Sequence, residues 1–145
     1  MTSVMIPVSD ELKKMLSDPR NADTTKLAYL GDAVFEVYVR MKSCEECGRH
    51  SKDMNKASVH YVKADSQAIA AKVLMDEFAD EEELALMKRA RNRTNTTHPR
   101  GSTEKAYKLA TGLEALFGWL YIKGDTERLS AAVAKAMQAV DESDK

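Results

Sequence analysis

Two long apolar stretches stand out in the pattern of hydrophobic and polar positions. The first, Leu27–Val39, reads LAYLGDAVFEVYV, and the second, Leu109–Ile122, reads LATGLEALFGWLYI. Apolar residues recur at helical spacing in both and extend the first stripe beyond its stretch: Leu27, Leu30, Val34, Val37 and Met41, then Leu109, Leu113, Leu116 and Leu120. A helix that is apolar on most of its sides is typical of a protein core. The pattern therefore predicts two core helices.

Capping residues and chain breakers place the remaining elements. Thr24 or Thr25 is expected to open the first core helix, and the expected helix caps are, in chain order, Ser9, Ser51, Asp80 with Glu83, Ser102 or Thr103, and Asp125. They predict helices over 10–17, 24–42, 52–78 (continuous or interrupted), 81–91, 103–123 and 126–140. Gly124 is expected to end the second core helix, and loops are expected over 43–50 and 92–102. Since no run alternates at period two, we predict an all-α helical bundle, forming a single domain over residues 1–145.

Three carboxylates interrupt the apolar stretches: Asp32 and Glu36 in the first, and Glu114 in the second. Neither stretch contains Lys or Arg, and a buried carboxylate without a partner is strongly destabilising. Mg²⁺ commonly binds one or two protein carboxylates together with substrate phosphates, so Asp32 and Glu114 on two crossing helices would suit a divalent-cation site. A glycine at position 31 would permit the close approach of another helix or of a ligand. The residues alone leave two alternatives open: Asp32 and Glu36 could face solvent, and Glu114 could hydrogen-bond a tyrosine or a backbone amide in the core.

The overall composition adds little to this prediction, whereas the distribution of charge along the chain indicates where a polyanion could bind. The chain has 145 residues, 43% of them apolar and 31% charged, with a formal net charge of −1, so its overall charge predicts no nucleic-acid partner. However, six acids and no cation lie in 76–83, whereas five cations and no acid lie in 88–100. The candidate phosphate contacts in the basic segment are Lys88, Arg89, Arg91, Asn92 and Arg93. A solvated basic turn that stabilises the helix dipole is the simpler alternative.

Several classes of protein are disfavoured. The first residues lack the basic region and apolar run of a signal peptide, and no stretch reaches the roughly 18–20 apolar residues of a membrane span, so we expect a cytoplasmic protein without membrane contact. Cys44 and Cys47 form a CxxC pair, but a structural zinc needs four ligands and only His50 and His60 lie near, so free loop thiols are predicted.

Two motifs carry a family resemblance. The segment Leu27–Glu36 resembles the signature helix of ribonuclease III domains, and Thr111–Tyr121 resembles the second acidic helix of that domain. In this order, and at a chain length that leaves no room for a double-stranded-RNA-binding domain, the two motifs resemble the Mini-ribonuclease III family. Arg89–Asn92 is similar to the start of that family's basic loop, with Ala90 in place of glycine. The resemblance covers about Thr24 to Lys123.

The resemblance implies a dimeric, all-helical, Mg²⁺-dependent endoribonuclease that cuts double-stranded RNA and trims precursor 23S ribosomal RNA, with a ribosomal protein on the RNA as a helper. It implies that Asp32 and Glu114 are the catalytic metal ligands, and that the basic segment binds RNA. This sequence departs from ordinary ribonuclease III at Thr25, Ala28 and Thr111, where acids are expected. With fewer carboxylates, the metal would depend more on water and on RNA phosphates.

Two other functions compete with the nuclease. A ribonuclease III-like module of ribosome assembly could bind RNA without cutting it, which Ala28 and Thr111 favour and the retained Asp32 and Glu114 oppose. In a helical interaction protein, the two acids would be architectural, and Asp32→Asn would alter stability only.

Overall fold

The computed structural model describes residues 6–93 and 102–144, and in these ranges it contains helices and turns but no strand. The predicted all-α class is confirmed. The helices are α1 (Asp10–Lys13), α2 (Thr24–Glu46), α3 (Ser51–Val62), α4 (Ala64–Glu77), α5 (Glu81–Arg93), α6 (Glu104–Lys123) and α7 (Thr126–Ser143). Two 3₁₀ turns, Lys14–Ser17 and Pro19–Asn21, connect α1 to α2. Among these described helices, none has the length and apolar character needed to cross a membrane.

Helix α6 lies at the centre of the fold and packs against α2, α4, α5 and α7. All four leucines of its predicted stripe are buried, as are Phe117 and Trp119. The ring of Phe117 lies 5.1 Å from that of Phe35 on α2, centre to centre. A helix surrounded by others needs apolar side chains on nearly all sides, which explains the uninterrupted hydrophobic pattern of this stretch.

Helix α2 buries only the first part of the predicted stripe, where Leu27 and Val34 are buried and Leu30 packs against the core. Its buried side chains include Leu27, Val34, Phe35 and Val39, whereas Val37 and Met41 are 58% and 49% exposed. The prediction was wrong for these two residues because two overlapping faces of α2 are apolar at helical spacing, and the sequence does not show which of them meets α6.

The crossing of α2 and α6 depends on two glycines. A Cβ atom built on Gly31 would overlap the carbonyl oxygen of Glu114 and lie 2.9 Å from the amide nitrogen of Gly118. A Cβ built on Gly118 would overlap the carbonyl oxygen of Leu27. The expectation that Gly31 permits close approach of another helix is confirmed, and the contact brings the two predicted acidic positions side by side.

Several helix boundaries differ from the predicted ones. Helix α2 continues to Glu46, because Ser43 is buried and its hydroxyl lies 3.1 Å from both the Val39 carbonyl oxygen and the Ser58 hydroxyl. The region 52–78 forms two helices, broken at Lys63, whose backbone is extended (φ −65°, ψ 151°). The predicted loop begins later than residue 92, since α5 runs through Arg93; residues 94–101 lie outside the described part of the chain.

Most predicted caps are confirmed. Ser9, Thr103 and Asp125 each accept a hydrogen bond from a backbone amide of the first turn, and Gly124 ends α6 in the left-handed conformation (φ 74°). Asp80 and Glu83 accept bonds from each other's amides at 2.8 and 2.9 Å, as in a capping box. Thr24 opens α2, as predicted, and Asp23 is its cap, whereas the prediction for Ser51 was wrong, because Ser51 is the first residue of α3 rather than its cap.

Candidate active site

A cleft of about 700 Å³ opens where α2 and α6 cross, between these helices, α4 and the end of α5. Asp32 and Glu114 both line it, so the structure brings together the two acids singled out by the sequence. Asp32 is exposed, whereas Glu114 is partly buried. Glu36 does not join them, because its carboxylate lies 2.9 Å from Nε of Arg40, one helical turn further along α2.

The environment of Glu114 disfavours its charged form. Burial raises the pKa of Glu114 from 4.5 to about 9, and the neighbouring charge of Asp32 and a hydrogen bond with Asp32 add to the rise. A hydrogen bond from Gln67 lowers the pKa in part. Two carboxyl groups in contact hold a proton between them unless a cation neutralises both. A cleft of this kind is therefore suited to a positive ion.

Gln67 is a residue of this cleft that the sequence analysis missed. It lies in the first turn of α4, is 4% exposed, and donates from Nε2 to the carbonyl oxygen of Val62 at 2.8 Å. Its Oε1 is buried and has no partner among the described residues. No motif marks Gln67 in the sequence, because its position depends on the break between α3 and α4 at Lys63.

The residues present fit a hydrated divalent cation. Three carboxylates line the cleft, those of Asp32, Asp65 and Glu114, and the buried Oε1 of Gln67 lacks the hydrogen-bond donor that a buried acceptor requires. Mg²⁺ and Mn²⁺ prefer oxygen ligands, and Mg²⁺ usually retains several waters that can donate hydrogen bonds. Thr25, Ala28 and Thr111, the positions where acids were expected, also line the cleft. The cleft therefore has room for waters where ordinary ribonuclease III would place carboxylates.

Comparison with known proteins decides the family. The Ribonuclease III domain matches residues 25–125, which include the whole cleft except Thr24. The chain belongs to the ribonuclease III family. Enzymes of this family are endoribonucleases that generally require a divalent metal, so RNA is the substrate class of this domain.

Individual relatives agree with this assignment. The chain is 39% identical to Mini-ribonuclease 3 of Thermoanaerobacter sp. (strain X514) over 80% of this chain and 81% of that protein. It is 32% identical to Mini-ribonuclease 3 of Symbiobacterium thermophilum, over 87% and 96% of the two chains. A crystal structure of a Fusobacterium nucleatum protein superposes with a TM-score of 0.72 at 33% identity and covers 79% of this chain and 93% of that one.

The basic residues of this ribonuclease III domain separate into three environments along α5. Arg93 lines the acidic cleft. Lys88, Arg91 and Asn92 line a second groove of about 690 Å³ on another side of α5, which also contains three lysines: Lys72, Lys105 and Lys108. Arg89 turns away from both, because its two Nη atoms donate to the carbonyl oxygen of Pro19 at 3.1 and 2.9 Å.

A second group of potential metal ligands lies away from the cleft. His60 on α3 and Asp141 and Asp144 near the end of α7 place their donor atoms within 4.8 Å of one another. Nε2 of His60 is 3.2 and 3.1 Å from the two carboxylates, and the Tyr61 hydroxyl donates to Asp141 at 2.8 Å. These bonds connect α3 to α7 without an ion. Both cysteines carry free thiols, as predicted, although Cys44 lies within α2 rather than in a loop.

Proposed function

We propose that this ribonuclease III domain is a divalent-metal-dependent endoribonuclease that hydrolyses phosphodiester bonds in double-stranded RNA, with Asp32 and Glu114 as its catalytic metal ligands. The observation that carries the proposal is that these two carboxyl groups line one cleft, where burial and the nearby charge of Asp32 raise the pKa of Glu114 to about 9. Such a pair is unfavourable unless a proton or a cation neutralises it, and a cation is what phosphoryl chemistry requires.

Asp32 and Glu114 would contribute differently to binding the ion. When bound, Mg²⁺ would supply a Lewis acid that lowers the pKa of water and neutralises the charge of a phosphate. Asp32 is exposed and ready to bind such an ion from solvent, whereas Glu114 must first release its proton. The glycine contact between α2 and α6 holds both acids on rigid helices, so the site is preorganised.

RNA would be held by two of the three groups of basic residues. Arg93 lies in the cleft and can bind a phosphate next to the reacting one. In the second groove, Lys88 and Arg91 on α5 and the three lysines on α4 and α6 outnumber two acids, Asp76 and Glu104, and Asn92 adds an amide. Contacts of this type read the shape and backbone of A-form RNA rather than its sequence. Arg89 was also predicted to bind RNA, but its bonds to Pro19 favour a structural role.

We also propose that the active form is a homodimer formed through α2. Its outer face presents a row of apolar residues spaced four apart, Tyr29, Ala33, Val37 and Met41, all of them exposed. Because Tyr29 also lines the catalytic cleft, a second copy on this row would border the active site. Sedimentation should show a dimer that Val37→Glu dissociates. A monomeric wild-type protein at micromolar concentration would contradict the proposal.

Precursor 23S ribosomal RNA is the proposed natural substrate, with a ribosomal protein as the partner that presents it. The whole chain is proposed to act as one catalytic domain in the cytoplasm. This part of the proposal rests on the resemblance of Leu27–Glu36 and Thr111–Tyr121 to the Mini-ribonuclease III family, a name that the relatives also carry.

The decisive experiment is cleavage of a long double-stranded RNA by the purified protein, in Mg²⁺ and in EDTA, beside Asp32→Asn and Glu114→Gln. Cleavage should require the metal and fall by at least about 100-fold in both variants, while circular dichroism shows that they fold. Glu127→Gln, an exposed residue of α7, is the matched control and should cut normally. Undiminished cleavage by Asp32→Asn would refute the proposed site.

One observation favours a second candidate, an RNA-binding module that does not cut. Ala28 and Thr111 line the cleft where carboxylates are expected in an ordinary ribonuclease III domain. Salt-sensitive RNA binding without cleavage, on both simple duplexes and ribosomal precursor RNA with its protein partner, would establish this alternative.

A further inference from the structure

Gln67 occupies an unusual position for an amide side chain. Only 4% of its surface is exposed, whereas most glutamines lie at protein surfaces. In the described residues, only two buried side-chain atoms lack a hydrogen-bond partner, Oε1 of Gln67 and Nε1 of Trp119. An unsatisfied buried acceptor costs about 1–3 kcal/mol. Gln67 differs from Trp119 in lining the catalytic cleft, where a ligand could supply the missing donor.

The orientation of the amide follows from its neighbours. Nε2 donates to the Val62 carbonyl oxygen at 2.8 Å, and the amide is near enough to Glu114 to lower the pKa of its carboxyl group in part. Since the Val62 carbonyl oxygen is an acceptor, a flipped amide would place oxygen against oxygen there. Because Nε2 is oriented toward the Val62 carbonyl oxygen, Oε1 is the polar atom of the side chain that has no partner among the described residues.

The free oxygen requires an O–H or N–H donor from outside the described chain. Two sources fit this chemistry: a water bound to a cation held by Asp32 and Glu114, or a hydroxyl of the RNA. The first is favoured, because Gln67 lines the same cleft as Asp32 and Glu114, and a cation with only two carboxylate ligands keeps several waters. Amide groups that orient metal-bound groups in this way tune the affinity of the site.

We infer that Gln67 is a positioning residue of the metal site, which holds the Glu114 carboxylate through Nε2 and accepts a hydrogen bond from a cation-bound water through Oε1. The inference rests on the proposed function, since it assumes a cation at Asp32 and Glu114. In this inference, the amide of Gln67 takes over part of the metal-site role that additional carboxylates play in ordinary ribonuclease III. It also explains why a polar residue without any recognisable motif is buried at the start of α4.

Mn²⁺ binding to the full chain without RNA, measured by isothermal titration calorimetry, tests the inference independently of cleavage. Gln67→Met preserves the length of the side chain and removes both hydrogen-bonding functions, so it should weaken Mn²⁺ binding by about 10–100-fold. Gln67→Glu keeps an acceptor oxygen and loses the donors, so it should bind Mn²⁺ more tightly than Gln67→Met. Gln138→Met, on the exposed face of α7, is the matched control and should bind as the wild type does. Circular dichroism establishes that each variant folds, and Gln67→Glu provides the test if Gln67→Met does not.

Two results would overturn the inference. Equal weakening by Gln67→Met and Gln67→Glu would mean that Gln67 only holds Val62 and Glu114 in place. In the other result, Gln67→Met binds Mn²⁺ as the wild type does but no longer prefers an RNA duplex over one with 2′-deoxy substitutions. That result would mean that Oε1 bonds to an RNA hydroxyl instead of a cation-bound water. Failure of the proposed function has a separate signature, which is wild-type Mn²⁺ affinity in Asp32→Asn.

Discussion

Gly31 lies directly against the main chain of Glu114, at the point where α2 crosses α6. The carbonyl oxygen of Glu114 occupies the space that a side chain on residue 31 would need. Asp32 follows in the chain, so the same contact that joins the two helices also brings the carboxyl groups of Asp32 and Glu114 into one cleft. The geometry of the site is thus a consequence of the packing of the core.

We expect Gly31→Ala to destabilise the fold strongly, because the added methyl group would force α2 away from α6. Overpacking against backbone cannot be relieved by a rotamer change, so the free energy of unfolding should fall by about 3 kcal/mol or more. Urea denaturation measures this loss. Gly48→Ala is the control, since a Cβ on Gly48 meets nothing within 4 Å. Equal stability of the two variants would contradict the close crossing.

Arg128 on α7 holds the most deeply buried ion pair of the described residues. It donates to both carboxylate oxygens of Glu83, from Nε at 2.5 Å and from Nη2, and the Glu83 side chain is only 2% exposed. Arg128→Ala should lower the free energy of unfolding by about 3–5 kcal/mol, because it leaves a buried carboxylate unpaired. Lys14→Ala breaks the exposed pair with Glu11 and should cost less than about 1 kcal/mol. Similar losses in the two variants would show that burial of Glu83 does not matter.

The stability of the metal-free protein should depend on pH through Glu114. Its pKa is about 9 in the fold and near 4.5 when exposed, so between these values the unfolded chain releases a proton that the folded chain keeps. The contribution of this group to folding therefore declines as pH rises from about 4.5 to about 9. Urea denaturation in EDTA at several pH values should show a decline that Glu114→Gln reduces. An identical pH profile in this variant would contradict the raised pKa.

The same pKa predicts proton release on metal binding. A carboxyl group must be ionised to bind a cation, so Mn²⁺ binding near pH 7 should displace the proton of Glu114. Calorimetry in buffers of different ionisation enthalpy measures this release. Observing none in the wild type would mean that Glu114 is already ionised.

Arg89 and Arg93, one helical turn apart on α5, should respond differently to removal. Arg93→Ala should weaken RNA binding and lower the slope of log affinity against log salt by about 1, because a phosphate contact in the cleft is lost. Arg89→Ala should lower stability instead, because it removes two hydrogen bonds to Pro19. Binding titrations at several salt concentrations, together with urea denaturation, separate the two effects. If Arg89→Ala weakened RNA binding and Arg93→Ala lowered stability, the structural role of Arg89 would be contradicted.

Much of the fold could be predicted from local sequence signals. Helix caps such as Ser9 and Asp125 act within one turn, and the capping box of Asp80 and Glu83 spans three residues, so each could be recognised without knowledge of the tertiary structure. The two core helices could be predicted as well, because a helix that is buried on most sides has a nearly continuous run of apolar residues. Asp32 and Glu114 stood out for the same reason, as charges within apolar stretches.

Long-range packing decided the rest. The sequence by itself determined the helical class, most of the elements and the two acids, because periodicity and capping are properties of neighbouring residues. Only the tertiary structure decided that Val37 and Met41 face outward, that Arg89 bonds to Pro19 and that Gln67 lies against Glu114. These three outcomes depend on which helix faces meet, and that choice is made by the fit of the whole core rather than by local preference.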